Sequence, residues 1–509
     1  MKLEKLLKAG KTGDCLALVA GALLTLAFAP LRLYPLAILM PALLYGLWRT
    51  LTPAQAFRRG WLFGMGLFGA GVYWVFISIY TYGNAPIYVA LFFTVGLIAI
   101  LSIFPGLNGY FLTRFFRNDT DERLFYAFPA IWVALEWVRS FIFTGFPWLF
   151  LGYTQITSPL KGYAPLFSVY CVSLVTLICS GLLYKSFIFI KQKHYRKGSI
   201  LLLILVSFFL GGRALSLVSW THPFGQPIQV SLVQGNISQE TKWSAEMVQP
   251  TLDKYRALSA PHWDSKIVVW PEAAIPLPEQ YAEGFLNLIN DQVKAHQTNF
   301  ITGIPVRTSS GDSYYNAVVL LGAKNGYYLK HRLVPFGEYV PFRGIVHKLL
   351  DVLNLPMSDF IPASNKPVVP LQVDNIKIAA FICYEIAYPE LVLSQSSNTN
   401  LLLTVSNDAW FGHSIAQAQH LEMAQMRAFE LGRPILFVSN NGITAIINAK
   451  GKIQSAAPPY ETYVLTDKVQ PMAGRTTWQR VGMDPILYML TTMILIAVRI
   501  ERRARKKTN

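Results

Sequence analysis

Seven apolar runs follow one another through the first 213 residues, at about 12–28, 35–48, 60–80, 86–113, 124–142, 163–184 and 199–213. An eighth lies at about 484–498. Most approach the roughly 20 residues that a helix needs to cross the hydrocarbon of a bilayer. The second, seventh and eighth are shorter. The pattern predicts a polytopic α-helical bundle of about eight spans. Six runs follow the first, so it reads as a span and not as a cleavable signal peptide. After Leu217 the pattern changes. Short runs rich in β-branched residues alternate with polar, helix-compatible stretches. Strands are expected at 228–233, 266–270, 300–304, 317–321, 376–382, 400–405, 435–439 and 443–448, and helices at 244–259, 281–296 and 416–431. SSGDS (309–313) and AKGK (449–452) read as hairpin turns. Hairpins mixed with αβ alternation predict mixed sheets covered by helices. Three parts result: a bundle of seven spans at 1–217, an α/β domain at 218–470, and the eighth span with a basic tail at 471–509.

Composition agrees with a membrane protein that carries a large soluble part. The 509 residues are 53% hydrophobic and only 14% charged, which does not suit a single soluble globule. The net charge of +17 is not tied to any nucleic-acid motif; it sits in short loops between apolar runs. Lys2, Lys5, Lys8 and Lys11 precede the first run. Arg49, Arg58 and Arg59 follow the second, and Arg114, Arg117 and Arg123 the fourth. Lys185, Lys191, Lys193, Arg196 and Lys197 follow the sixth, and the tail carries Arg499, Arg502, Arg503, Arg505, Lys506 and Lys507. The alternate loops hold only Arg32 and Lys161. Basic loops stay in the cytoplasm, so both termini are expected there and the α/β domain on the outer side.

Within the bundle, Glu136 and Arg139 sit three apart on one helical face. Charges at that depth face a partner or a wet cavity; a structural ion pair is the plain alternative. The third run is glycine-rich (Gly60, Gly64, Gly66, Gly69, Gly71), which permits close helix packing. Phe146, Trp148, Phe150 and Tyr153 after the fifth run suit an interfacial aromatic belt, with contact to a lipid substrate as the sharper reading.

Candidate chemistry lies at strand ends. The run KIAAFI leads straight into Cys383, followed by Tyr384 and Glu385; Pro389 is expected to stop any regular element. Cys383 is the only cysteine outside the apolar runs, since Cys15, Cys171 and Cys179 all lie within them, and no metal-binding spacing occurs. Packing as a small apolar residue is the plain alternative for it. KIVVW ends in Pro271-Glu272, NLLLTV in Ser406-Asn407-Asp408, and the hairpin after Ala317 leads through Tyr327 and Tyr328 to Lys330. A thiol with an ordinary pKa of about 8.5 is mostly protonated at neutral pH. A carboxylate can remove its proton, and an ammonium can stabilise the oxyanion of an acyl intermediate.

W-P-E (270–272), Y-L-K (328–330), LVPFGEYVP (333–341), C-Y-E (383–385) and SNDAWFG (406–412) resemble the nitrilase superfamily. With the flanking spans, the whole chain is similar to that superfamily's membrane-bound branch, the bacterial apolipoprotein N-acyltransferases. The resemblance implies an αββα sandwich for the α/β domain. It implies Glu272 as general base, Lys330 as oxyanion stabiliser, Cys383 as nucleophile and Glu338 as a second carboxylate assisting them. Tyr384, Glu385 and Trp243 would line the substrate site. It further implies ping-pong transfer of an acyl chain from a phospholipid, from sn-1 of phosphatidylethanolamine, through a thioester on Cys383. The acceptor would be the α-amine of a diacylated apolipoprotein. No cofactor or metal is needed, and a monomer in the bacterial inner membrane with a periplasmic catalytic domain is expected. Phe437 stands where the family usually carries arginine, which affects a secondary contact. The apolar segment 342–362 reads as a lid at the interface, or else as an ordinary core helix. A membrane-tethered amidase acting on a small amide would use the same residues, and a transporter or scaffold with a degenerate outer domain is a third, non-enzymatic reading.

Overall fold

A computed structural model describes residues 10–116, 120–308, 311, 313–335, 337–339, 360–364 and 366–508. The chain forms two compact units. One holds the residues up to Phe76, Tyr88–Val218 and those from Arg480 onward; the other holds Ile77–Ile87 and Ser219–Gln479.

In the first unit every predicted apolar run is helical. Among the described residues three helices, Ile87–Phe115, Pro159–Lys191 and Tyr195–Leu217, are long and apolar enough to cross a membrane, or four if Pro53–Gly71 and Trp74–Tyr82 count as one bent span. The glycines of Pro53–Gly71 do what their spacing predicts. A Cβ on Gly66 would lie 2.0 Å from the Leu18 carbonyl oxygen, and one on Gly60 2.3 Å from that of Pro105. Only glycine permits backbones this close.

Glu136 and Arg139, both buried, serve the segment that follows their helix. Glu136 Oε1 accepts from Leu151 N at 2.7 Å and from Trp132 Nε1 at 3.2 Å. Arg139 donates to the Trp148 carbonyl at 2.6 Å and lies over the rings of Phe68 and Phe150. This anchoring corrects the aromatic belt. Trp148 and Phe150 are fully buried, and Trp148 packs 5.0 Å from Trp74. A ring enclosed in the unit has no face for a headgroup or a substrate, so Trp148 is a packing residue.

In the second unit two six-stranded sheets carry the core. The first runs β13 (Tyr463–Val469), β2 (Ile228–Gln234), β3 (Ile267–Val269), β4 (Phe300–Arg307), β5 (Tyr314–Leu321) and β6 (Gly326–Leu329). The second runs β12 (Ile453–Ala456), β11 (Ala445–Ile447), β10 (Ile435–Ser439), β9 (Leu401–Ser406), β8 (Ile376–Ile382) and β7 (Leu371–Val373). β8, β9 and β10 are parallel, as are β2, β3 and β4. Their near-continuous apolar sequences suit strands covered on both faces. Helix Glu279–Ala295 places Ala282, Leu286, Ile289 and Val293 on one stripe, which joins Val268, Phe300 and Val319 of the first sheet, and Trp270 just after β3, in one core. Helix Ala416–Leu431 covers the second sheet.

Two expectations change. Pro389 starts the helix Pro389–Ser396 instead of ending an element. The first helical position needs no N–H, and proline's fixed φ suits it. The second unit also runs on to Gln479, past the expected boundary at 470. The reason is a two-stranded sheet in which β14 (Met472–Gly474) pairs antiparallel with β1 (Thr221–Pro223), tying the two ends of the domain together.

Candidate active site

The parallel strands of the second sheet bring their C-terminal ends to one edge. Ile382 is in register with Val405, and Ser406 with Ser439, so Cys383 emerges beside the Ser406–Asp408 segment. Cys383 opens the tight turn Cys383–Ala387 with φ at 53°, the left-handed region. A non-glycine residue held there costs about 1–3 kcal/mol and persists only where its surroundings enforce it. The first sheet supplies the other groups. Glu272 follows β3 by three residues, and Lys330 directly follows β6.

These groups form one buried network. Glu272, Lys330 and Cys383 are 7%, 1% and 9% exposed. Lys330 Nζ lies 2.8 Å from Glu338 Oε1 and 3.3 Å from Glu272 Oε1. Asn316 of β5 donates to both carboxylates, at 2.7 Å to Glu272 and 2.9 Å to Glu338. Glu272 Oε2 accepts from Asn407 N at 2.9 Å, and Glu338 Oε2 from Val334 N at 2.8 Å. Burial alone would lower the Lys330 ammonium, but the charges of Glu272 and Glu338 outweigh it and hold it well above the usual lysine range. Burial, then the Glu272 charge, pushes the Cys383 thiol well above the ordinary cysteine range, against Lys330 and a hydrogen bond with Ser406. The Glu272 and Lys330 charges thus act on the buried thiol in opposite senses. Such an arrangement can pass a proton from thiol to carboxylate as the sulfur attacks.

Glu385 is corrected. It is fully buried, and its oxygens accept from Tyr328 Oη, Ile382 N, His331 N and Arg332 N, all within 2.9 Å. Its acceptor positions are filled, so it ties the Lys330 segment to the Cys383 turn and has none to offer a substrate. Tyr384 is nearly buried, edge-on to Tyr388 at 5.1 Å. Trp243 is half exposed. Phe437 is fully buried, 5.1 Å from the His420 ring. Of the expected lid at 342–362, residues 342–359 lie outside the described residues.

Sequence reading passed over Asn316, His420 and Lys242. Each is one polar residue inside an element or loop, and no spacing marks it. Lys242 is buried beside the exposed Trp243, and its Nζ donates to the Glu272 carbonyl at 3.1 Å. Burial pulls its ammonium down to about 8, against the Glu272 charge, which raises it. An unfolded lysine keeps its proton to about pH 10.4. Between those values the unfolded chain binds more protons, so stability rises with pH. Lys242→Met removes this titration. From pH 7 to 10 the wild type should therefore gain about 2 kcal/mol on the variant, read from thermal unfolding in detergent. A difference that stays flat over this range counts against it.

Both units match family models. Residues 20–182 match the apolipoprotein N-acyltransferase N-terminal domain, and residues 229–477 match the carbon-nitrogen hydrolase family. Apolipoprotein N-acyltransferase from Coxiella burnetii is 42% identical over 482 residues, covering 94% of this chain and 99% of that protein. Its counterpart from Methylococcus capsulatus is 38% identical over 489 residues, covering 96% of each. Among solved structures, a CN-hydrolase superfamily protein from Xanthomonas campestris aligns with 52% of this chain and 97% of its own, at TM-score 0.37 and 16% identity. With identity of this order along nearly the full length of its relatives, the chain belongs to the apolipoprotein N-acyltransferase family, the membrane-bound branch of the nitrilase superfamily.

Proposed function

We propose that this protein moves a fatty acyl chain from a membrane phospholipid to the N-terminal amine of a diacylated apolipoprotein, through a thioester on Cys383. One observation carries the reading: Glu272, Lys330 and Glu338 meet in a buried network that acts electrostatically on the only cysteine outside the membrane unit. In the first half-reaction Cys383 Sγ attacks the donor's ester carbonyl while Glu272 takes the thiol proton. Lys330 stabilises the oxyanion. The C–O bond breaks, the lysophospholipid leaves with the proton from Glu272, and the thioester remains. In the second, the acceptor amine attacks the thioester, Glu272 takes a proton from the nitrogen, and Cys383 leaves as thiolate and regains that proton. The amide is the product.

Lipid substrates suit the proposed setting. Eight spans with both termini in the cytoplasm, as the Lys/Arg loops imply, put the catalytic unit on the periplasmic side of the inner membrane. We take residues 1–217 and the last helix as the membrane part. An sn-1 chain of phosphatidylethanolamine is the donor to try first.

The full-length protein in detergent, incubated with that phospholipid and no acceptor, should gain one fatty-acyl mass on the peptide that contains Cys383. Later addition of a diacylated lipopeptide should remove it and yield the N-acylated product. No adduct, with turnover of small amides instead, would establish the amidase alternative.

A further inference from the structure

A buried pair that the proposed chemistry does not use lies behind Cys383. His420 on helix Ala416–Leu431 and Asp408 in the turn Asp408–Phe411 are both fully buried. His420 Nε2 is 3.1 Å from the Cys383 carbonyl oxygen, and a carbonyl only accepts, so the ring donates there. Nδ1 is 3.1 Å from Asp408 Oδ1, which also accepts from Ser406 Oγ at 2.6 Å. With an acceptor beside each ring nitrogen, the ring is held between Asp408 and the Cys383 carbonyl. Phe437 and Phe411 stand edge-on to the ring at 5.1 and 6.1 Å, which fixes its plane. The groups acting electrostatically on the thiol are Glu272, Lys330 and Asp408, and Ser406 bonds to it.

The placement answers a need of the nucleophile. Cys383 is held with φ at 53°, where a residue with a side chain relaxes unless its backbone is tied. Its carbonyl is the handle on the peptide plane that follows the thiol. We infer that Asp408 and His420 are positioning residues: Asp408 orients the ring, and the ring, by donating to the Cys383 carbonyl, holds the thiol aimed at the acyl carbonyl. This rests on Cys383 as the acyl acceptor.

Two near-isosteres separate positioning from simple packing. Gln places an N–H near Nε2, so His420→Gln keeps the bond to the Cys383 carbonyl. Asn places its amide near Nδ1, so His420→Asn keeps the Asp408 contact and loses the carbonyl. The full-length variants are assayed for acyl-adduct formation from phospholipid, for iodoacetamide alkylation of Cys383 mapped by mass spectrometry, and for melting temperature. Misaiming a reacting group costs on the order of 10²-fold. His420→Asn should lose about that much adduct rate, with the half-saturating phospholipid concentration changed by less than about twofold. His420→Gln should stay within about tenfold of wild type, and alkylation should follow the same order. Equal rates for the two variants, or losses that track melting temperature alone, overturn the inference. If wild type forms no adduct at all, the acyl-transfer reading fails. The alkylation order still decides whether His420 positions the thiol.

Discussion

Glu272→Gln should slow acyl-adduct formation on Cys383 by on the order of 10³-fold or more. The change is nearly isosteric, yet no orientation of the new amide fits. Oε1 of Glu272 receives Asn316 Nδ2 and Lys330 Nζ, and Oε2 receives Asn407 N. Whichever way the glutamine turns, its NH2 meets a donor and at least one buried bond is lost, at about 1–3 kcal/mol each. More costly is the missing base. Burial holds the Cys383 thiol well above the ordinary cysteine range, so it loses its proton only to a group positioned to take it. Glutamine cannot, whereas loss of one general base typically costs about 10²–10⁴-fold. The misplaced ammonium adds to that. Single-turnover mass spectrometry of the Cys383 peptide reads the rate. A variant within tenfold of wild type would mean that another group takes the proton, and Glu272 would then be only a hydrogen-bond acceptor.

How much of this was legible depends on what each residue shares with its neighbours in sequence. β8, β9 and β10 were plain because both faces of each are apolar, and a strand end followed by a polar residue is visible at once. That is how Glu272, Cys383 and the Asn407–Asp408 step stood out. Lys330 stood at the end of the hairpin that follows Ala317, whereas Glu338 came from a string that only a resemblance makes meaningful. β13 was missed because it is an edge strand whose residues Thr466, Asp467 and Lys468 interrupt the apolar pattern. β1 and β14 have three residues each and exist only through pairing across the domain. Trp148 misled because aromatic composition says belt, while the fold buries its ring against Trp74 and ties its carbonyl to Arg139. Glu385 misled because adjacency to Cys383 suggests a site wall. Its carboxylate turns the other way, onto three backbone amides and a tyrosine. His420 and Asn316 show the general limit. A single polar residue in a buried element has no period, and its purpose lies wholly in what the fold brings beside it.

Lys330→Met should be the most damaging change to stability. The ammonium is 1% exposed and sits between Glu272 and Glu338. Methionine fills the space but leaves two carboxylates facing each other, with Asn316 as their shared donor. Removing one partner of a buried ion pair costs about 3–5 kcal/mol, because the remaining charge is uncompensated. For a domain of this size that is on the order of 10 °C in melting temperature. The pH dependence gives the cause away. In wild type the Lys330 pKa is raised by the two carboxylates, so its stabilisation is complete below the ordinary lysine range and is lost only as pH climbs through the raised value. The wild type should therefore show no loss from this group between pH 5 and 8. In the variant the folded state gains by binding a proton between the carboxylates, so its stability should rise as pH falls from 7 toward 5. Adduct formation should vanish at every pH, since a proton between the carboxylates restores neutrality but not the oxyanion's partner. Thermal unfolding and adduct mass, measured in parallel across that range, separate the two effects. Recovery of acylation together with stability at low pH would show that Lys330 only neutralises the carboxylates and takes no part in stabilising the oxyanion.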